Sequence, residues 1–210
     1  MTDSSQPEPA PSALAGRHLP SWALMIGATL FLLTFDLVSK SLAFKWVADT
    51  PVVLSGHNPA EAVPPHEAIR LVPYVLSLKL TLNTGAVFGL GKGAQWLFVV
   101  VSFLAVLVIV RVFWASPAGA RGTHLSLTLI LAGALGNLHD RIRFNAVRDL
   151  LWLFPDSRLP FAWHWPGGRD ELYPWIFNVA DASLVAGVAL MLILMWRGPK
   201  RGPGDRKFPG

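Results

Sequence analysis

Four long stretches without charged side chains constrain what this sequence can fold into. Residues 18–35, 93–110 and 122–139 contain no Asp, Glu, Lys or Arg, and residues 172–196 contain only Asp181. A helix needs about 20 consecutive apolar residues to cross the core of a bilayer. The four stretches therefore predict four membrane-spanning helices, and an even number of spans would place both termini on the same side.

Composition supports a membrane protein and excludes several kinds of chemistry. The 210 residues are 52% hydrophobic and 15% charged, whereas soluble domains carry about 25% charged residues. The absence of cysteine excludes disulfides, thiolate nucleophiles and cysteine-ligated metals. The 6 histidines form no H-E-x-x-H pair, which argues against a zincin-type metalloprotease. The net charge is +5, but the basic residues are not clustered in one stripe, so no nucleic-acid partner is predicted.

The distribution of basic residues predicts the orientation and the domain limits. Residues 197–210 carry five basic side chains, and Arg111 and Arg121 flank the second loop. Because basic loops stay in the cytoplasm, we expect both termini there. Residues 1–21, rich in Pro, Ala and Ser, should form a disordered tail. The spans should occupy residues 22–196, followed by the basic tail.

Two segments should lie outside the membrane, at residues 45–92 and 150–175. Within the first, a strict alternation with period two predicts a β-strand with one apolar face. Leucines at one set of positions alternate with polar residues at the other: Leu76, Leu78, Leu80 and Leu82 against Ser77, Lys79, Thr81 and Asn83. The apolar face could contact lipid or a lipid-linked substrate, or it could pack on the helix ends. Gly85 and Gly89 predict a turn or a close approach of the backbone.

Polar clusters fall near the predicted outer ends of the spans, and each has a structural explanation of its own. The clusters are FDLVSK (35–40), NTGAVFG (83–89), GALGNLHDRIRFNAVRD (133–149) and FNVAD (177–181). Asp36 and Lys40 have the i, i+4 spacing of a helix ion pair. Asn137, Asp140 and Arg141 could link helices. Asp181 could interact with the dipole of the helix that it begins.

Taken together, the clusters predict a reaction. The four-span layout brings Asp36, Asp149 and Asp181 to one face of the membrane, where acids are tolerated if they face each other or water. Two neighbouring aspartates share one proton, so one can activate water while the other protonates the scissile amide. The alternative is a proton-coupled carrier that uses the three acids as relay sites. Carriers commonly contain internal repeats, and none is visible here.

The four clusters, in this order, resemble the lipoprotein signal peptidase (signal peptidase II) family of bacterial intramembrane aspartyl proteases. The resemblance covers about residues 22–196 and implies four transmembrane helices with a small extracytoplasmic β-sheet cradle. It implies that Asp149 of AVRD and Asp181 of FNVAD are catalytic, rather than the more conspicuous Asp140. It also implies substrate-binding or supporting roles for Asp36, Lys40, Asn83, Gly85, Asn137, Asp140, Arg141, Asn178 and Ala180.

The resemblance further implies what the protein cuts and where it resides. The expected substrates are prolipoproteins, cleaved just before a cysteine that carries a diacylglyceryl group. The enzyme would need no metal or organic cofactor, and its four predicted helices and single site indicate that a monomer suffices. It would sit in the bacterial inner membrane, with its site near the outer leaflet and in contact with lipid. An inactive relative that only binds signal peptides is the remaining alternative.

The sequence departs from the family pattern at several places. Asn145 stands where the family usually has glycine, and Leu150 stands where phenylalanine often follows the first catalytic aspartate. Asparagine tolerates a positive φ better than most residues, so the turn should survive. The outer segments 45–70 and 150–175 are long, and residues 156–175 form a candidate lid with its own substrate preference.

Overall fold

The fold consists mainly of helices, with one small antiparallel sheet. A computed structural model describes residues 13–50, 52–54, 62–85 and 95–198. The helices are α1 (Leu19–Trp46), α2 (Gln95–Ala115), α3 (Arg121–Phe144) and α4 (Val179–Arg197). The strands are β1 (Ile69–Val72), β2 (Leu76–Asn83), β3 (Val147–Leu153) and β4 (Ile176–Phe177). The predicted class, a helical protein with a small sheet, is thus confirmed.

Three helices in the described part of the chain are long and apolar enough to cross a membrane. They are α1, residues Trp96–Ala115 of α2, and α4. Large apolar side chains such as Phe31, Phe103 and Leu192 are exposed on them, as a surface that faces lipid requires. The fourth predicted span, α3, does not meet this criterion, because many polar groups lie along it, among them the buried His124, Ser126, Thr128, Asn137 and Asp140.

Helix α3 lies at the centre of the fold and packs against the other three helices. Two of its glycines allow this close approach. A Cβ atom on Gly136 would lie 2.5 Å from Oδ2 of Asp36 in α1, and one on Gly133 would meet the carbonyl oxygen of Ala180 in α4. Small residues are used in this way where membrane helices pack closely. The packing of α3 therefore sets the positions of the polar side chains between the helices.

Two helix limits differ from the sequence-based limits for identifiable reasons. Helix α1 continues past residue 35, because the Lys40 ammonium lies 2.7 Å from the Asp36 carboxylate and compensates its charge inside the helix bundle. Helix α4 begins at Val179 instead of residue 172, because Asn178 caps it and the residues before the cap include β4. Stretches without charged residues locate apolar segments, but they do not reveal buried ion pairs or helix caps.

Residues 13–18, which we expected in a disordered tail, pack against the loop between α2 and α3. Ala15 is fully buried, and its N–H donates to the carbonyl oxygen of Ser116 at 2.8 Å. The N–H of Ala118 donates to the carbonyl oxygen of Ala13 at 2.7 Å. These backbone bonds order the segment that leads into α1, which begins at Leu19. Residues 1–12 of the predicted tail lie outside the described residues.

The four strands pair in sequence order as an antiparallel sheet. Between β2 and β3, Leu78 pairs with Leu151 and Thr81 pairs with Asp149, so β2 contains one additional residue at this point. A bulge of this kind reverses the faces of the residues beyond it. Leu80 is buried in a cluster with Phe44 at the end of α1, and Leu78 and Leu82, one on each side of the bulge, also pack against this cluster.

Candidate active site

Asp149 and Asp181 lie on different elements that meet beside α3. Asp149 is in β3 and is 2% exposed. Asp181 is in the first turn of α4, where Asn178 is the cap. The Asn178 side chain accepts a hydrogen bond from the Asp181 N–H at 2.9 Å, and the Asp181 carboxylate accepts one from the Asn178 N–H at 3.2 Å. This reciprocal capping box fixes the orientation of the Asp181 side chain.

Two asparagines connect the carboxylates. Asn178 Nδ2 donates to Oδ1 of Asp149 at 2.7 Å and is also 3.2 Å from Oδ1 of Asn137. Asn137 Nδ2 donates to Oδ1 of Asp181 at 2.7 Å. Asn178 thus touches both acids, through its side-chain amide and its backbone N–H. Neutral donors at these positions hold the two carboxyl groups near each other without cancelling their charge.

The surroundings of Asp149 favour its protonated form. Burial, and then the negative charge of Asp181, raise the pKa of Asp149 well above its usual range. Hydrogen bonds from Asn178 and Asn83 and the positive charge of Lys40 lower the pKa of Asp149, but they do not outweigh burial. A pair of acids in such surroundings can hold one proton between them, which acid–base hydrolysis requires.

A buried ion network lies behind the acid pair. Lys40 contacts Asp36 at 2.7 Å and Asp140 at 3.4 Å, and all three are almost fully buried. The second oxygen of Asp36 accepts a hydrogen bond from the N–H of Ala180 at 2.8 Å, which ties α1 to the start of α4. Buried ion pairs need hydrogen-bonding partners of this kind to offset the cost of desolvation. The network therefore fixes the positions of α1, α3 and the start of α4 around the acid pair.

Arg148 belongs to this network, although sequence reasoning did not select it. Its Nη2 atom lies 2.8 Å from Oδ1 of Asp140, its Nε lies 3.2 Å from both carboxylate oxygens, and its N–H donates to Oδ2 at 3.0 Å. Since Arg148 directly precedes Asp149, this clamp positions the strand that carries the acid. The sequence offered one indication of this role: Arg148 lies within AVRD, eight residues after Asp140.

The other sequence-selected residues surround the pair. Asn83 lies on β2 on the same face as Asp149, and its Oδ1 accepts from the N–H of Gly85 at 3.0 Å, so the chain turns there as predicted. Arg141 packs over Phe98 of α2 at 5.2 Å, and its buried Nε has no hydrogen-bond partner within the described ranges. Gly89 lies outside the described residues.

Asn145 makes the turn between α3 and β3. It follows the last helical residue with φ 54° and ψ 20°, in the left-handed region, and its N–H donates to the carbonyl oxygen of Arg141. The expectation that asparagine would preserve the turn is confirmed. A β-branched residue would be strained in this conformation. The turn brings Asp149 back towards α4 within a few residues of the end of α3.

Fold and site together define a class of protein. Beside apolar helices lie one buried carboxyl group, that of Asp149, and one half-buried carboxyl group, that of Asp181, with neutral amides between them and a compensated ion network behind them. Such a site offers a general acid and a general base for water-dependent cleavage within or near a membrane. The arrangement is that of a membrane-embedded acid–base hydrolase.

Comparisons with known proteins specify this class further. Residues 28–197 match the family model described as Signal peptidase (SPase) II. Proteins named lipoprotein signal peptidase are 31% identical in Sulfurihydrogenibium (82% of this chain, 91% of the relative) and 30% identical in Rhodopirellula baltica (89% and 78%). A solved bacterial membrane enzyme has a similar fold, with a TM-score of 0.64 at 22% identity, over 86% of this chain and 94% of that chain.

The chain belongs to the signal peptidase II family. It is therefore an aspartyl protease that removes signal peptides from lipoprotein precursors. Family membership favours the peptidase over the proton-coupled carrier. It also agrees with a multi-pass membrane protein, since three helices are long and apolar enough to cross a membrane.

Proposed function

We propose that Asp149 and Asp181 are the catalytic pair of this peptidase. One carboxylate takes a proton from water, which attacks the scissile carbonyl, while the other carboxyl group protonates the leaving amine. The observation that carries the proposal is the chain of amides from Asp149 through Asn178 and Asn137 to Asp181. It holds two acids from separate elements in one polar cleft.

Arg141 supplies the contact with the substrate backbone in this proposal. Its Nε is buried and has no partner among the described residues, and a buried donor of this kind costs about 1–3 kcal/mol until it is satisfied. A peptide carbonyl oxygen of the bound substrate would satisfy it. The supporting residues Asp36, Lys40 and Asp140 act through the positions of the helices and of β3.

The substrate in this proposal is a membrane-anchored precursor, cut just before a cysteine that carries a diacylglyceryl group. The exposed apolar surfaces of α1, α2 and α4 allow the precursor to approach by diffusion within the bilayer. A single chain contains both acids, so a monomer suffices. The protein would reside in the bacterial inner membrane.

The proposed orientation includes α3 as a fourth span. Its 24 residues are long enough to cross, and contacts with α1, α2 and α4 shelter its polar side chains from lipid. Four crossings place both termini in the cytoplasm, where the basic residues after Arg197 favour them. The sheet and the acid pair then lie at the outer leaflet.

Cleavage by purified variants tests the catalytic pair. The wild type in detergent should cleave a diacylglyceryl-modified prolipoprotein, and Asp149→Asn or Asp181→Asn should each lower the rate by at least about 10²-fold. Each amide keeps the shape of the side chain but cannot exchange the proton. The appearance of free signal peptide, followed by mass spectrometry, measures the rate and the cleavage position.

Asp156→Asn is a matched control for this test. Asp156 is an exposed acid outside the helices that pairs with Arg70 at 3.4 Å, and its variant should keep the wild-type rate. Full activity in either dyad variant would refute the assignment. A wild-type protein that binds the precursor without cutting it would point to the inactive relative.

A further inference from the structure

Tyr173 lies at the end of the long segment between β3 and β4 and belongs to a row of stacked aromatic rings. Its ring centroid is 5.3 Å from that of Trp175 and 6.0 Å from that of Phe177, with interplanar angles of 74° and 84°. Trp165 continues the row, with its centroid 4.7 Å from that of Trp175. Edge-to-face contacts of this kind are favourable beyond the area that they bury.

The aromatic row, defined as Trp165, Trp175, Tyr173 and Phe177, ends at the acid pair. Phe177 pairs with Leu151 across β4 and β3, so the two side chains lie on one face of the sheet. Leu151 follows Asp149 by two residues and therefore shares its face. Phe177 also directly precedes Asn178, whose amide binds Asp149.

The hydroxyl group of Tyr173 is within electrostatic reach of both acids. Partial burial, and then the charges of Asp181 and Asp149, raise the pKa of Tyr173. The phenol consequently stays neutral and remains a donor at physiological pH. This hydroxyl makes no hydrogen bond to another described residue, so within that part of the chain it is a donor available to a ligand.

The segment that carries the row is braced by hydrogen bonds. Trp152 Nε1 donates to the carbonyl oxygen of Tyr173 at 3.3 Å. Farther along, Leu159 and Asp170 are joined by a backbone bond of 2.7 Å, and Arg158 contacts the Asp170 carboxylate at 3.0 Å. Tyr173 therefore has a fixed place at the edge of the site, as a residue that selects substrates requires.

We propose that Tyr173 and Phe177 bind the residues that follow the lipid-modified cysteine, with the Tyr173 hydroxyl donating to a backbone carbonyl oxygen there. The inference rests on the proposed function and extends it to substrate selection. The apolar part of a signal peptide lies among the spans, whereas the chain after the cysteine leads out of the membrane. In the proposed orientation, the segment between β3 and β4 lies on that outward path, and the aromatic row would form one wall of it.

Two substrates with the same lipid-modified signal peptide test this contact. One continues with a natural mature segment after the cysteine, and the other ends directly after the cysteine. Tyr173→Ala should lower kcat/KM for the long substrate roughly tenfold, mainly through KM, as expected for one lost hydrogen bond with its contact area. It should leave cleavage of the short substrate unchanged. Tyr173→Phe, which keeps the stacking, should show a smaller loss on the long substrate alone.

Phe161→Ala is the matched control, because Phe161 is an aromatic residue of the same segment that is 85% exposed. It should leave both substrates unaffected. If Tyr173→Ala loses equally on both substrates, or loses nothing on the long one, the proposed contact is wrong. Cleavage of these substrates by the wild type would still support the proposed function. If Tyr173→Ala does not fold, an unchanged kcat/KM of Tyr173→Phe on the long substrate overturns the proposed contact. A wild type that cleaves neither substrate overturns both proposals.

Discussion

Burial of Asp149 has a thermodynamic cost that depends on pH. Its pKa is raised in the folded protein, chiefly by burial and then by Asp181, so the folded state holds this proton more tightly than the unfolded chain. The contribution of Asp149 to stability is then fully present below the unfolded pKa of about 3.9 and is lost as the pH rises through the folded pKa. The ionised form of this buried carboxyl group therefore destabilises the protein at a pH above its folded pKa.

Asp149→Asn should consequently produce an inactive protein that is more stable than the wild type. At about pH 8 we expect its Tm to be higher by about 2–4 °C, the shift that about 1 kcal/mol gives in a chain of this size. The difference should shrink as the pH falls below the unfolded pKa of about 3.9, where the wild-type acid is protonated in both states. Thermal unfolding in detergent at several pH values measures it. Asp156→Asn, at an exposed acid, is the control, and a lower Tm of Asp149→Asn at the higher pH would contradict the argument.

Single residues could be predicted from the sequence where they belong to a motif, and not where they act through space. Asp149, Asp181 and the two bridging asparagines were selected because their clusters resemble those of a family. Arg148 and Tyr173 were not, since one acts through a salt bridge and the other through ring stacking in a segment without periodicity. The position of Tyr173 beside Trp175 and Phe177 depends on folding of the outer segment.

At the scale of elements, the close contact of α3 with α1 and α4 depends on the lack of a side chain at Gly136. A Cβ on Gly136 would lie 2.5 Å from the Asp36 carboxylate and 3.0 Å from Cβ of Ala180. Gly136→Ala should therefore separate the helices and disturb the bond from Ala180 to Asp36. We expect a loss of about 1–3 kcal/mol in stability from overpacking and a marked loss of cleavage activity.

Gly27→Ala is the matched control for this substitution. Gly27 is also inside a helix, but a Cβ there would have no neighbour within 4 Å. Its variant should be neutral or more stable, by up to about 1 kcal/mol, because alanine favours the helix. Thermal unfolding and cleavage rates of the two variants, measured in parallel, provide the comparison. Equal behaviour of the two glycines would show that helix packing does not depend on Gly136.

The elements were predictable to different degrees for physical reasons. Apolar stretches predicted α1, α2 and α4, because burial in lipid requires continuous apolar sequence. The strand at residues 76–83 was predicted from its alternation, but its bulge was not, since a bulge changes the register without changing the pattern of residues. The limits of α4 could not be predicted, because the residues before Asn178 are as apolar as a span.

At the scale of the whole molecule, the proposed crossing of α3 can be tested with two cysteines. The chain has no natural cysteine, so a single introduced thiol gives a signal without background. Gly119 and Phe161 are exposed and lie on the two sides of α3 along the chain. In spheroplasts, a membrane-impermeant maleimide should label Phe161→Cys directly and Gly119→Cys only after permeabilisation. Labelling of both from outside would show that α3 does not cross.

The additional residue in β2 has a consequence for how such chains diversify. It places Thr81 and Asn83 on the side of Asp149, and a strand shorter by one residue would turn both away. We therefore expect stronger selection on the number of residues between Leu78 and Asn83 than on their identity. Over evolutionary time this strand should accumulate substitutions but almost no deletions, whereas insertions should collect between β3 and β4, where added length leaves the spacing of the two acids unchanged.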